Sequence, residues 1–128
     1  LYLNEETMPI KIYEYKNCST CKNALKFLDT QGIKYVKIPI VEEPPSSGEL
    51  KQMLEYIKEG GGTFKNLFNT SGLLYRELGI SDKIKNGMSE TEALKLLAKN
   101  GKLIKRPFIL TGKNGTVGFK AEVWKKLL

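Results

Sequence analysis

Apolar positions in the first forty residues predict a strand, a helix and a second strand. Residues 10–15 alternate isoleucine and tyrosine with polar residues, a composition typical of a short strand. Apolar residues at helical spacing predict a helix over 22–31, and Gly32 is a natural residue to end it. A second strand is predicted over 35–41, and Pro39 makes that strand short or places it at a sheet edge.

The middle of the chain has helical periodicity without strand patterns. Two capping boxes, each a serine with a glutamate three residues later, open amphipathic helices that end at glycines 60–62 and at Gly101. The boxes are Ser46 with Glu49, and Ser89 with Glu92. Between these two helices, short helices are predicted over 64–68 and 72–78, followed by a turn after Ser81.

The last part of the chain predicts a hairpin and a helix. A strand over 103–111 contains Pro107, the Asn-Gly pair at 114–115 favours a tight hairpin turn, and 116–119 is the return strand. The final helix, 121–128, is expected to turn three apolar residues inward. These are Val123, Trp124 and Leu127.

This order of elements predicts an α/β fold. The first strand–helix–strand unit is long enough for a parallel pair, and the last two strands form an antiparallel hairpin. The economical assembly is a four-stranded mixed sheet (β-α-β, then β-β-α) with helices on both faces. With 128 residues in the chain, we expect one domain over 8–128, with a helical insertion about 46–101. Residues 1–7 precede Met8, a plausible native start, and are expected to be a tag or upstream remnant.

The amino-acid composition excludes several kinds of catalytic and metal-binding site. The 128 residues contain no histidine, which excludes Ser-His and Cys-His catalytic pairs and histidine metal sites. Two cysteines are too few for a tetrahedral zinc site, so no metal is expected. No apolar run approaches the ~20 residues of a membrane helix, and residues 1–7 do not resemble a secretory signal. We therefore expect a cytoplasmic monomer.

The formal charge is +7, and its basic excess lies after residue 99. Nucleic-acid binding would fit such an excess, and a solvated basic surface fits it equally. Only two arginines are present, although base recognition favours arginine, and aromatic residues do not alternate with the lysines. We therefore expect no direct binding to nucleic acid.

The strongest chemical signal is Cys18-x-x-Cys21 between the first strand and the first helix. At a helix N-terminus the unpaired N–H groups and the helix dipole favour a thiolate, and Lys16 and Lys22 are near in sequence. A drop in the pKa of Cys18 from ~8.5 to ~7 would correspond to about 2 kcal/mol of stabilisation of the thiolate relative to the thiol. Cys21, one turn further along, should be more buried and should resolve the bond that Cys18 forms.

Other roles for the two cysteines are a static disulfide, inert buried thiols or a metal clip. A loop this short gains little entropy from cross-linking. A metal clip would need partner ligands, and the chain has no further cysteine and no histidine to supply them. Redox chemistry is therefore the favoured interpretation.

Four segments taken together resemble the arsenate-reductase-like branch of the thioredoxin superfamily, which also contains the Spx redox regulators. The resemblance extends over residues 10–124. The segments are Tyr13-Glu14-Tyr15-Lys16-Asn17-Cys18-Ser19-Thr20-Cys21-Lys22, Leu67-Phe68-Asn69-Thr70-Ser71-Gly72 with Tyr75-Arg76-Glu77-Leu78-Gly79, Leu103-Ile104-Lys105-Arg106-Pro107, and Val117-Gly118-Phe119-Lys120.

The resemblance implies a thioredoxin-like fold with Cys18 as the nucleophile. It also implies that Arg106 binds an oxyanion and that Pro107 follows a cis peptide bond. Members that reduce arsenate commonly surround the oxyanion with three arginines. Here the other two positions align with Asn69 and Lys120, a neutral donor and a point charge. The simpler role of Asn69 is to cap the next short helix.

The function implied is a thiol–disulfide oxidoreductase that acts on arsenate or another oxidised substrate. It needs no bound cofactor, and glutathione or a thioredoxin- or glutaredoxin-type protein would regenerate the dithiol. The alternative is an Spx-like redox-sensing regulator that binds the RNA polymerase α subunit. Spx proteins carry a further C-terminal stretch beyond the position of Leu128, which favours the enzyme.

Overall fold

A computed structural model describes residues 9–128, so the predicted remnant 1–7 and the start at Met8 lie outside the described residues. The described elements are β1 (Lys11–Glu14), α1 (Ser19–Thr30), β2 (Val36–Pro39), α2 (Ser47–Glu59), α3 (Leu73–Glu77), α4 (Ile80–Lys85), α5 (Glu90–Lys99), β3 (Phe108–Leu110), β4 (Gly115–Val117) and α6 (Ala121–Leu127). Single 3₁₀ turns lie at Phe64–Leu67 and Gly101–Leu103. No helix within residues 9–128 is both long and apolar enough to cross a membrane.

The described chain forms two compact units. The first combines the chain up to Pro39 with Arg106–Leu128 and contains all four strands, α1 and α6. The second, Ile40–Lys105, contains α2 to α5 and includes the predicted insertion 46–101.

The sheet in the first unit has the order β2-β1-β3-β4. β1 pairs with β2 in parallel and with β3 antiparallel, and β4 returns antiparallel beside β3. Tyr13 lies opposite Ile38 on one side and Phe108 on the other. The predicted four-stranded mixed sheet is therefore confirmed, including the parallel first pair and the antiparallel hairpin.

One face of this sheet is covered by α1 and α6. Paired residues Ile12 and Ile109 point to the same face as their strands alternate, and they pack against Ala24, Leu28 and Trp124. All five side chains are fully buried. This cluster fixes the start of α1 relative to the end of β1, which is where the CxxC motif lies.

Trp124 anchors α6. Its ring meets Phe27 and Phe119 edge-on, and its indole N–H donates to the carbonyl of Gly118 at 3.2 Å. The prediction that Val123 also faces inward is wrong, because its side chain is 43% exposed. Val123 and Trp124 are adjacent in the helix and therefore about 100° apart around its axis, so the face that buries Trp124 leaves Val123 exposed.

The capping boxes of the second unit form to different extents. At α2 both bonds are present: Glu49 N–H donates to Ser46 Oγ and Ser46 N–H donates to the Glu49 carboxylate, each at 3.1 Å. At α5 the structure shows only the serine half, with Glu92 N–H donating to Ser89 Oγ at 3.1 Å. Both predicted helix starts are confirmed, whereas the second box is incomplete.

The predicted turn after Ser81 is wrong, because this segment is the helix α4. Gly79 precedes it with φ 62°, a left-handed conformation that glycine adopts without a steric cost. Ile80 is fully buried and Ile84 partly so, at the i, i+4 spacing of one helix face. Packing of this face stabilises a helix only six residues long.

The predicted strand 103–111 is also wrong in its first half, since β3 begins at Phe108. The preceding residues pair within the second unit instead. Asn69 N–H donates to the Leu103 carbonyl and Lys105 N–H donates to the Leu67 carbonyl, both at 2.7 Å. These two bonds use backbone groups that a longer sheet strand would have needed.

Candidate active site

Cys18 caps the N-terminus of α1. The chain turns after β1, and Cys18 N–H donates to the Tyr15 carbonyl at 3.0 Å. Cys18 has extended backbone angles, and its sulfur accepts the N–H of Cys21 at 3.3 Å. The predicted position of Cys18 at the helix N-terminus is confirmed, one turn earlier than the helix start predicted at residue 22.

The second cysteine lies on the inner face of the same turn. Cys21 is 1% exposed, whereas Cys18 is only partly buried, and both are free thiols. A reagent in solution therefore reaches the sulfur of Cys18 before that of Cys21. Cys21 is positioned behind it, as expected for a thiol that acts second.

The surroundings shift the two thiol pKa values in opposite directions. Burial raises the pKa of Cys18, but hydrogen bonds from the thiol and N–H of Cys21, together with a hydrogen bond and positive charge from Arg106, outweigh burial and hold it below its ordinary value. Burial, followed by the interaction with Cys18, raises the pKa of Cys21 to about 12. The pair therefore combines one thiol that ionises more readily than ordinary cysteine and one that stays protonated at neutral pH.

Arg106 is the cation that acts on Cys18, rather than the neighbouring lysines predicted from sequence. Its Cζ lies 4.6 Å from the centroid of the Tyr15 ring, and its Nε is buried without a hydrogen-bond acceptor. The peptide bond from Arg106 to the buried Pro107 is cis, as the resemblance implied. Cys18, Cys21 and Arg106 thus form one interacting group.

The structure does not add Lys120 or Asn69 to this group. Lys120 is exposed and precedes α6 as its N-cap residue, without a side-chain capping bond. Asn69 belongs to the second unit, where its carbonyl accepts the N–H of Gly72 at 3.1 Å. It does not cap α3, whose N-cap is Gly72. Their roles in binding an oxyanion remain predictions.

Sequence reasoning gave Tyr15 only a place in the first strand. The structure ends β1 at Glu14 and puts the Tyr15 ring against Arg106. An aromatic residue shortly before a CxxC motif is a signal too common to identify such a partner. The contact joins residues that are 91 positions apart in the chain, so it depends on tertiary packing rather than on a local pattern.

The opposed pKa shifts predict a selective reaction with iodoacetamide. Because the pKa of Cys18 is lowered, its alkylation rate should reach half its maximum at a pH below that of free cysteine. Cys21 is buried and its pKa is raised, so it should be modified only at a higher pH than Cys18. In Arg106→Ala the Cys18 midpoint should move to higher pH, because a hydrogen bond and a charge that favour the thiolate are lost. Mass spectrometry of peptides labelled across a pH series measures both; equal midpoints for wild type and Arg106→Ala would contradict the assigned role of Arg106.

Comparisons with known proteins agree on the family. The ArsC family model matches residues 13–127. The uncharacterized protein YusI of Bacillus subtilis is 44% identical over 93% of this chain and 98% of its own length. Arsenate reductase of Rhizobium meliloti is 30% identical, over 80% of this chain and 69% of its own. The global transcriptional regulator Spx 2 of Lactococcus lactis is 26% identical, over 88% of this chain and 81% of its own length.

A solved structure supports the same assignment. An ArsC family related protein from Bacteroides fragilis superimposes with a TM-score of 0.86 and 42% sequence identity, covering 94% of this chain and 98% of that protein. The predicted thioredoxin-like fold of the arsenate-reductase branch is therefore confirmed. With its family match over nearly the whole described chain and a CxxC pair at the start of α1, this protein belongs to the ArsC family.

Proposed function

We propose that this protein is a thiol–disulfide oxidoreductase in which Cys18 is the nucleophile and Cys21 the resolving thiol. The observation that supports this most directly is the arrangement of the two thiols: Cys18 is the partly buried N-cap of α1 and accepts the N–H of the buried Cys21 at 3.3 Å. This arrangement lowers the pKa of Cys18 and raises that of Cys21. A static disulfide would need no activated sulfur, and two inert thiols would both have raised pKa values. Family membership adds relatives whose names include arsenate reductase.

In the first step the Cys18 thiolate attacks one sulfur of a disulfide substrate. The substrate S–S bond breaks, a mixed disulfide with Cys18 forms, and the departing thiolate takes a proton from water. The lowered pKa of Cys18 increases the share of reactive thiolate near neutral pH. Arg106 stabilises the thiolate before the attack.

In the second step Cys21 loses its proton and attacks the Cys18 sulfur. The second substrate thiolate leaves and a Cys18–Cys21 disulfide remains, so the substrate has gained two electrons and the protein has lost two. Burial, the hydrogen bond to Cys18 and the negative charge of Cys18 all raise the pKa of Cys21 in the reduced protein. Once Cys18 is in a disulfide its negative charge is gone, and the pKa of Cys21 falls when it is needed as a nucleophile.

The cycle closes with an external thiol. Two equivalents of glutathione, or one dithiol of a thioredoxin- or glutaredoxin-type protein, would reduce the Cys18–Cys21 disulfide and become oxidised themselves. A reducing cytoplasm supplies such thiols. We place the protein there, as a monomer without a bound metal or organic cofactor.

The charge near Cys18 favours a disulfide substrate over arsenate. Arg106 is the one guanidinium that acts on Cys18, and it already interacts with the thiolate. A dianionic oxyanion is held best by several bidentate guanidinium groups, whereas a neutral disulfide needs none. Lys120 and Asn69 would provide only weaker donors at the remaining family positions.

The test is to trap the intermediate. Cys21→Ser removes the resolving thiol, so incubation with a small disulfide should leave a stable mixed disulfide on Cys18 and stop turnover. Mass spectrometry of the intact protein would show the added mass, which a reducing agent should remove. Wild-type protein treated in the same way should show the internal disulfide instead. Absence of any adduct in Cys21→Ser would refute the proposal.

An Spx-like regulator is the second candidate, supported by the Spx relatives from Lactococcus lactis. In this case the Cys18–Cys21 pair would be a redox switch and the partner would be the RNA polymerase α subunit. Purified α subunit should then bind the oxidised and reduced protein with different affinities, in the absence of turnover. Turnover that exceeds the rate of free cysteine, without binding to the α subunit, would decide for the enzyme.

A further inference from the structure

Arg106 reaches Cys18 without an acidic partner to orient it. Among residues 9–128 no carboxylate forms an ion pair with its guanidinium, and its buried Nε has no acceptor. A long side chain that is free to rotate loses entropy when it is held in one place. Besides its hydrogen bond to Cys18, an uncharged contact is therefore left to orient the guanidinium.

The ring of Tyr15 is that contact. The guanidinium carbon lies 4.6 Å from the ring centroid, inside the range of a cation–π interaction. A carboxylate in this place would orient Arg106 equally well, but its charge would cancel the field that favours the thiolate. An aromatic face holds the cation and leaves its positive charge available to the sulfur.

The backbone of Tyr15 is tied to both cysteines. Its carbonyl accepts the N–H of Cys18 at 3.0 Å, and its N–H forms a hydrogen bond that favours ionisation of Cys21. The position of the ring relative to the two sulfurs is thus set by the backbone rather than by a flexible loop. A side chain attached to this point can serve as a fixed support.

We propose that Tyr15 is a positioning residue, whose ring is the platform that holds the guanidinium of Arg106 at Cys18. This inference rests on the proposed function, since it assigns a role in preparing the same nucleophile. In this role the ring acts through Arg106 rather than on the sulfur directly. The phenol oxygen has no part in this role, so phenylalanine should replace tyrosine.

A double-mutant cycle on the Cys18 pKa tests the proposal, with the ultraviolet absorbance of the thiolate as the signal. We expect Tyr15→Leu to raise this pKa by about 0.5 unit, the size of an exposed cation–π interaction expressed as a pKa shift. Tyr15→Phe should remain close to wild type. In an Arg106→Ala background, Tyr15→Leu should have no further effect, because the residue it positions is absent.

Three results would overturn the proposed role of Tyr15. They are an unchanged Cys18 pKa in Tyr15→Leu, an equal rise of this pKa in Tyr15→Phe, and an undiminished effect of Tyr15→Leu in the Arg106→Ala background. Thermal unfolding confirms that each variant is folded, and Tyr15→Met is the second variant if leucine prevents folding. The measurement needs no substrate. Failure of Cys21→Ser to form the mixed disulfide would refute the oxidoreductase, whereas a failed cycle with normal disulfide exchange would refute only the platform.

Discussion

Cys18→Ser is expected to abolish disulfide exchange, with the rate falling to that of the buffer. The reason is chemical, because a serine hydroxyl stays protonated and forms no disulfide. The structure makes this substitution clean. Cys18 accepts the N–H of Cys21 as the N-cap of α1, and serine is among the preferred N-cap residues. The helix start should therefore be retained.

The measurement is the steady-state rate with a small disulfide and glutathione, alongside the thermal unfolding midpoint. Ser19→Ala is a matched control, since it changes the exposed neighbouring residue in the first turn of α1 and should keep most of the activity. A Cys18→Ser protein with an unchanged midpoint and appreciable turnover would assign the chemistry to another residue. Loss of activity with a large drop in the midpoint would contradict the expected role of serine as a cap.

Gly101→Ala is expected to destabilise the second unit by about 3 kcal/mol, near the upper end for overpacking. A Cβ at this position would overlap the carbonyl oxygen of Ile40 and would lie 2.8 Å from the carbonyl carbon of Ile40 and 3.0 Å from Cα of Val41. These are backbone atoms, so no side-chain rotation relieves the overlap. The backbone itself would have to move, in a place where Gly101 is buried.

Urea denaturation measures this effect as a lower free energy of unfolding. Gly48→Ala is the matched control: it lies within α2, and its Cβ would meet only Ser46 Oγ, at 3.8 Å. Alanine there should be neutral or stabilise the protein by up to about 1 kcal/mol, because alanine loses less backbone entropy in a helix. Equal free energies of unfolding for Gly101→Ala and Gly48→Ala would contradict the close approach of Gly101 to the backbone of Ile40.

Short-range features of the fold could be predicted from sequence because they depend on neighbouring residues. Helical spacing and the Ser46–Glu49 box located α2. The Asn-Gly pair indicated the hairpin but not the residues of its turn, because Gly115 already belongs to β4 and the left-handed residue of the loop is Gly112. The motif Cys18-x-x-Cys21 likewise gave the position of Cys18 at a helix start. Each of these follows from backbone geometry within about four residues.

Long-range features were less accessible to local patterns. Gly101 was expected only to end a helix, yet its lack of a side chain is required by the Ile40 carbonyl. Residues 103–105 have the composition of a strand, but pair with 67–69 instead of joining the sheet. In both cases the decisive neighbour is distant in sequence, and no periodicity specifies it.

By itself, the sequence determined the order of the four strands, most of the helices, the serine caps of α2 and α5, and the position of the two cysteines at the start of α1. The resemblance to a known family added Arg106 and the cis bond before Pro107, which local spacing does not indicate. Tertiary structure decided that Arg106, rather than a neighbouring lysine, lowers the pKa of Cys18, and that the Tyr15 ring lies against its guanidinium. The physical reason is that local geometry sets the backbone of each segment, whereas the partners of a side chain depend on which segments pack together.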